Sequence, residues 1–282
     1  MAETVSELLD RLLDRRYEDT AKSVLRAVGS ATDSARVRAA LAEFEAEAER
    51  LRKLGLPLQP DNAALRNLTA EIDSAMRDAA RAVDAGADPL VNGALSAAEQ
   101  LQTGLPAAMG VPASALVGWN VVSAEALRAV VTFQNSPAWA ARLAQYAGAP
   151  SQLINNIVLR GFAAGQNPLR TAADIARATS ALPRAQANIL LRTLYLQSYR
   201  RAAAWSQAAN RAMITRVRRM ATLDNRVCMV CVSLHGTEIE AGEALELHEQ
   251  DRCVSVVEVV GASIPFGPTG EEWFSGLAPE WQ

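Results

Sequence analysis

The side chains best suited to chemistry are three cysteines and one histidine near the C-terminal end of the sequence. Cys228 and Cys231 form a C-x2-C pair, His248 follows after sixteen residues, and Cys253 follows after four more. A C-x2-C turn directs two sulfurs at one centre, and a second pair from a distant segment completes a tetrahedron. Thiolates and imidazole suit Zn²⁺, so the pattern predicts a structural zinc site with a closed Cys3His shell.

Other interpretations of these residues stay open. His235, four residues after Cys231, and Asp251 are alternative ligands. The C-x2-C pair is also compatible with a reducible dithiol, or with small apolar side chains in a core. A closed shell leaves no coordination position for a substrate. Motifs such as H-E-x-x-H, the P-loop and G-x-S-x-G are missing from the sequence. We therefore expect no catalytic residues and a binding or assembly protein, not an enzyme.

Charge is strongly segregated along the chain although the net charge is only −3. Residues 1–174 carry a net charge of −3, residues 175–223 carry +9 with no acidic residue, and residues 224–282 carry −9. A segment with nine arginines and no acid faces nucleic acid, solvent anions or an acidic protein surface. The acidic segment that follows it could supply that surface, which would make an internal electrostatic clasp. The residues predicted to contact nucleic acid or an acidic surface are Arg192, Arg200, Arg201, Arg211, Arg216, Arg218 and Arg219.

The composition predicts a mainly α fold. Half of the 282 residues are apolar, aromatics make up 5%, and alanine and leucine dominate, which favours helices over a β-sandwich. We predict N-terminal helical hairpins or a bundle and a long helix, followed by a small α+β C-terminal domain pinned by the metal. The predicted segments are a helical region for docking on a partner or for oligomerisation (1–150), a second helical part (151–213), a small α+β Cys/His lobe (214–260) and an extended tail (261–282).

Helix limits in the first half of the chain follow from capping residues and helix breakers. Gly29 and Ser30 are predicted to end the first helix, and Asp33 to cap the second. Asp61 is predicted to cap a third helix that runs to Ala85.

In the second half, Ser136-Pro137 and Asn167-Pro168 each indicate a helix start. The helices that begin there are predicted to close at Gly148 and Pro150 and at Thr179. Pro183 is predicted to start a long helix to about Met213, with Trp205 on its buried stripe. Residues 214–223 and the β-branched run 254–260 are predicted strands.

No stretch of about twenty apolar residues occurs, so no membrane span is expected. The first residues lack the charged-then-apolar pattern of a signal peptide. Three cysteines are too few for a disulfide scaffold. We therefore expect a protein that is made and folded in the reducing cytoplasm of a cell.

Residues 151–260 resemble the phage Mu F-like head morphogenesis, or minor capsid, protein family. The resemblance lies in a glycine turn that leads into a helix, an Arg-Thr pair in a long helix, and the Cys/His motifs. The family commonly ends with H-x2-C-R-C, and here Asp251 stands at the first of those two cysteines. The matching residues are Ile157, Gly161, Gly165-Gln166-Asn167, 172–176, Arg192-Thr193, 198–203, 222–231, 234–237 and 248–253.

The resemblance implies a minor head protein of a tailed phage or a related particle, made in a bacterial host cytoplasm. Such a protein sits in the virion, at the capsid interior and portal vertex, in several copies around the portal. Its implied partners are the portal protein, the major capsid protein or scaffold, and packaged double-stranded DNA. The alternative is a metal-dependent hydrolase acting on nucleic acid or cell-wall polymer, which would need an open zinc position and an acid such as Glu238 or Asp251.

Overall fold

The structure is a computed structural model that describes residues 5–131, 137–224, 226–245, 252–261 and 267–277. It is 73% helical and 6% strand, which confirms the mainly α fold with a small sheet near the C-terminal end. None of the helices in the described ranges combines the length and the apolar content that a membrane span requires. The helices are α1 (Val5–Leu9), α2 (Arg16–Thr32), α3 (Ala35–Lys53), α4 (Ala63–Ala85), α5 (Ala87–Ala108), α6 (Ala124–Val130), α7 (Pro137–Ala163), α8 (Pro168–Ala209), α9 (Met229–Leu234) and α10 (Gly270–Ser275).

The remaining elements are short turns and three strands. A π-helical turn over Asp10–Arg15 joins α1 to α2, and 3-10 turns span Ala113–Leu116 and Arg211–Met213. The strands are β1 (Ile214–Met220), β2 (Glu238–Ile239) and β3 (Val254–Val259).

The chain forms two compact units, each built from segments that lie far apart in sequence. The first unit comprises Met1–Thr20, Asp88–Gln134 and Arg192–Gln282. The second comprises Ala21–Ala87 and Asn135–Leu191. The units interleave along the chain, in contrast to the four consecutive segments that the sequence suggested.

In the second unit, α4 packs against both α3 and α7. The apolar stripe of α3, which includes Phe44 and Leu51, is buried, and so is the stripe of α4, which includes Leu68 and Ile72. These stripes recur at spacings of three and four residues, as core-facing helices require.

Both N-caps predicted for α3 and α4 were wrong by one residue. Ser34, not Asp33, caps α3, since its hydroxyl accepts a hydrogen bond from the Val37 amide at 3.3 Å. Asn62, not Asp61, caps α4, since its side-chain oxygen accepts from the amides of the second and third helical residues. Each aspartate is followed by another good capping residue, and the hydrogen-bond geometry selects the second of the pair.

Three predicted helix ends were also wrong, because the helices continue. The first helix passes Gly29 and Ser30 and ends at Thr32. Helix α7 runs through Gly148 and Pro150. Helix α8 runs through its predicted end at Thr179 and on through Pro183, which was predicted to start a separate helix. A proline inside a helix costs a backbone hydrogen bond. Here both prolines are buried, and the Tyr146 hydroxyl donates to the Pro183 carbonyl at 3.2 Å.

In the first unit, the π-helical turn packs against the C-terminal half of α8. The Tyr195 hydroxyl donates to the Leu12 carbonyl at 2.5 Å, and the Tyr195 ring meets the Tyr17 ring edge-on. Leu12, Leu13 and both tyrosines are buried. Trp205 was predicted on the buried stripe of this helix, but it is 52% exposed, because the core-facing positions at this level are Ala202, Ala203 and Ser206.

The three strands form an antiparallel sheet in the order β2-β1-β3. Val217 lies opposite Val257 on one side and opposite Ile239 on the other. The two predicted strands are confirmed as β1 and β3, and the two-residue β2 was not predicted.

The tail was predicted to be extended, but α10 forms within it and packs against α9. A capping box at Thr269 and Glu272 starts this helix. A Cβ at Gly270 would lie 1.8 Å from the Val232 carbonyl oxygen, so the contact requires glycine.

Candidate functional site

The structure brings the three cysteines into one cluster at the end of the sheet. Cys231 and Cys253 are buried together with Ala221, and the half-buried Cys228 packs against them. None of the three is in a disulfide. Leu223 completes the apolar side of the group. The thiols therefore share one small site although 25 residues separate the first from the last.

The first cysteine of the C-x2-C segment starts helix α9. Cys228 is the N-cap of α9 with extended backbone angles, and its Sγ accepts a hydrogen bond from the Cys231 amide at 3.3 Å. The cysteine thus takes the place that a serine or aspartate usually occupies at a helix start. Cys228, Cys231 and Cys253 therefore pack in one cluster.

His235, the alternative ligand, holds the end of β1 in place. Its Nδ1 accepts a hydrogen bond from the Ala221 amide at 3.1 Å, next to the cysteine cluster. Burial lowers the pKa of His235, so the ring is neutral at pH 7. A neutral ring that accepts at Nδ1 carries its proton on Nε2, which leaves neither nitrogen with a lone pair for a metal.

The remaining predicted ligands, His248 and Asp251, lie outside the described residues. Within the described part of the chain, no group of three His, Cys, Asp or Glu side chains is arranged to hold a metal ion. The three clustered thiols have the chemistry that Zn²⁺ prefers. With the predicted His248 as fourth ligand, a tetrahedral site would be structural and without an open position.

A network of charged side chains adjoins the cluster. Arg252 donates two hydrogen bonds to the carboxylate of Asp224, one of them at 2.8 Å, and lies 3.7 Å from Asp14. Arg226 lies 3.5 Å from Asp224 and 3.8 Å from Asp14. These residues line a cleft of about 230 Å³. Burial opposes ionisation of Asp224, but the hydrogen bonds from Arg252 and from the Arg226 amide outweigh it and lower the pKa of Asp224.

Arg192, which was predicted to contact a polyanion, belongs to the same network. Its guanidinium pairs with Asp14, and the two side chains are only 11% and 13% exposed. The guanidinium also lies over the Tyr17 ring, 5.1 Å from the ring centre. Asp14 and Tyr17 were not recognised from the sequence. They lie 178 and 175 residues from Arg192, and the short-range pattern around them indicates only an amphipathic helix.

The arginines of the sheet lie near carboxylates of the acidic segment. Arg216 approaches Glu238 at 3.0 Å, and Arg218 approaches Glu258 at 3.1 Å. Arg211 lies 4.0 Å from Glu240. These ion pairs correspond to the internal electrostatic clasp, which the segregated charges suggested as an alternative to phosphate contact. The other predicted arginines are the buried Arg200 and the half-buried Arg201 and Arg219.

The glycine turn between α7 and α8 also has a clear physical basis. A Cβ at Gly161 would lie 2.7 Å from the Thr171 hydroxyl, so the two helices approach closely only because this residue is glycine. Gly165 has a φ of +60°, and the Gln166 amide donates to the Gly161 carbonyl at 2.8 Å. Asn167 then accepts from the Leu169 amide at 3.0 Å as α8 begins.

No family model, no curated protein and no solved structure matches the chain.

Proposed function

We propose that this protein is a structural minor head protein of a tailed phage, attached at the portal vertex on the inside of the capsid. The proposal rests on the resemblance of residues 151–260 to the Mu F-like head morphogenesis family. The observation that carries it is the clustering of Cys228, Cys231 and Cys253 at the end of the small sheet.

A structural role fits the use of the polar residues in this region. Asp224 is engaged by Arg252, and His235 accepts from the Ala221 amide. Asp14 is paired with Arg192. These three groups could act as acid or base but instead hold segments together, which favours an adaptor over the alternative metal-dependent hydrolase.

We assign the docking surface for the portal or capsid protein to the turn between α7 and α8. Leu159, Phe162 and Leu169 are large apolar side chains there, and they are 54%, 42% and 36% exposed. Exposed apolar groups close together are typical of protein interaction sites. They flank the glycine turn that belongs to the family resemblance, and we assign the portal contact to them.

Co-purification tests this assignment directly. The chain is co-expressed with the portal and major capsid proteins of the phage that the proposal assigns it to, and portal recovery is measured. We expect Phe162→Ser with Leu169→Ser to abolish recovery. The matched control replaces Leu54 and Leu56, which are exposed apolar residues at another turn of the same unit.

Two results would overturn the proposal. One is equal recovery of the portal with the Phe162/Leu169 variant and with the wild-type chain. The other is hydrolysis of nucleic acid or cell-wall polymer by the purified protein, lost on replacement of Glu238 or Asp251, which would favour the hydrolase.

A further inference from the structure

The second unit contains a basic cleft that the sequence analysis did not identify. It has a volume of about 700 Å³ and lies among the C-terminal half of α2, the start of α3 and the middle of α8. Lys22, Arg26, Arg38 and Arg184 line it, and Asp33 is its one acidic residue among those described. Four cations therefore face one carboxylate.

The carboxylate of Asp33 pairs with only one of the four cations. Asp33 lies 3.3 Å from Arg38. Within the described parts of the chain, no carboxylate lies within ion-pair distance of Lys22, Arg26 or Arg184. Lys22 and Arg26 are four residues apart on one face of α2, where like charges repel each other. A bound anion would relieve that repulsion.

The rest of the lining suits phosphate oxygens. Ser30 and Ser180 line the cleft together with the cations. A Cβ built on Gly29 meets no atom within 4 Å, so a ligand can approach the backbone there. Lysine, arginine and small hydroxyl side chains together are the groups that contact nucleic-acid phosphates. No aromatic residue lines the cleft in the described structure, so base stacking is not part of the contact.

We propose that this cleft binds the phosphate groups of a nucleic acid or a nucleotide. Its volume exceeds what a single phosphate fills and lies within the range of ligand pockets. The inference does not depend on the head-protein proposal. It also places polyanion binding on residues other than Arg192, Arg211, Arg216 and Arg218, which lie close to carboxylates of their own unit.

Binding is measured on the full chain by fluorescence anisotropy with a short labelled DNA duplex, and by calorimetry with a nucleoside triphosphate. If three cations contact duplex phosphates, the logarithm of the binding constant falls with the logarithm of salt with a slope of about −2.7. The triple variant Lys22→Gln, Arg26→Gln, Arg184→Gln should lose at least about tenfold in affinity and most of that slope. Arg77→Gln, on the exposed face of α4 in the same unit, is the control and should bind as the wild type does.

The two probes separate the sources of phosphate. Duplex binding with the predicted slope assigns the cleft to nucleic acid, and triphosphate binding alone assigns it to a free nucleotide. The proposal is overturned if neither probe binds at low salt, or if binding is unchanged in the triple variant. Circular dichroism verifies that the triple variant is folded. If the triple variant is unfolded, the single variant Arg184→Gln is used in its place. Portal recovery is measured separately, so failure of this inference and failure of the proposed function are distinguishable.

Discussion

Arg252 holds Asp224 in a two-bond pair across 28 residues of sequence. The arginine immediately precedes Cys253, and the aspartate begins the loop that leads to Cys228. The pair therefore fastens together the two segments whose thiols form the cluster.

Replacing Asp224 by alanine should destabilise the protein by about 2 kcal/mol, because Arg252 is largely buried and loses its main charged partner. Urea unfolding measures the change. The control is Asp78→Ala, which breaks the exposed pair with Arg81 and should cost less than about 0.5 kcal/mol. Equal losses in the two variants would show that the Asp224 pair does not fasten the lobe.

Acid should weaken the same pair. The native pKa of Asp224 lies below its ordinary value, so the unfolded state takes up the proton first as the pH falls. Its contribution is fully present above about pH 3.9 and is lost as the pH drops through the native pKa. Unfolding free energies measured from pH 6 to pH 3 should therefore fall less steeply in Asp224→Asn than in the wild type. Parallel curves would contradict this.

Asp14→Ala should cost about 3 kcal/mol or more, because it leaves the buried guanidinium of Arg192 without its carboxylate. Asp10→Ala in the same π-helical turn is the matched control. Asp10 pairs with the exposed Arg15, and its loss should be close to neutral. The unfolding temperatures of both variants measure the two losses. A large loss of stability in Asp10→Ala and none in Asp14→Ala would contradict the importance of the Asp14–Arg192 pair.

His235 should give the protein a pH dependence near neutrality. Burial lowers its native pKa, so the unfolded state binds the proton more readily. Stability is then full above about pH 6.5 and falls as the pH is lowered through the native pKa. His235→Gln keeps an acceptor for the Ala221 amide and removes the titration, so its stability should be flatter between pH 7 and pH 5. His248 is present in both proteins and cancels in the comparison.

Metal analysis of the purified chain tests the predicted zinc. We expect an equimolar amount of zinc that is lost in Cys253→Ser and in His248→Ala. His235→Gln should retain it, because the Nδ1 of that ring is occupied by the Ala221 amide. Zinc kept by His248→Ala and lost from His235→Gln would mean that the wrong histidine was assigned.

Short-range signals predicted the parts of the fold that depend on local physics. The β-branched run 254–260 indicated β3, and the two helix starts at Pro137 and Pro168 were correct. The predicted end at Pro150 and the predicted new start at Pro183 were wrong, because both helices continue through these buried prolines.

The parts of the site that depend on pairing between distant segments could not be predicted from the sequence. The cysteine spacing pointed to the cluster that forms, whereas nothing near Asp14 indicates its partner Arg192. Charge segregation offered both a clasp and a phosphate surface, and only the folded chain shows Arg216 and Arg218 beside Glu238 and Glu258.

The most direct test of the proposed role is an electron cryomicroscopy reconstruction of particles from the source host, with the chain carrying a peptide tag. The proposal predicts tag density inside the capsid at the portal vertex, in several copies around its axis. Particles without the chain, together with the tagged protein recovered only from the particle-free cell extract, would contradict it.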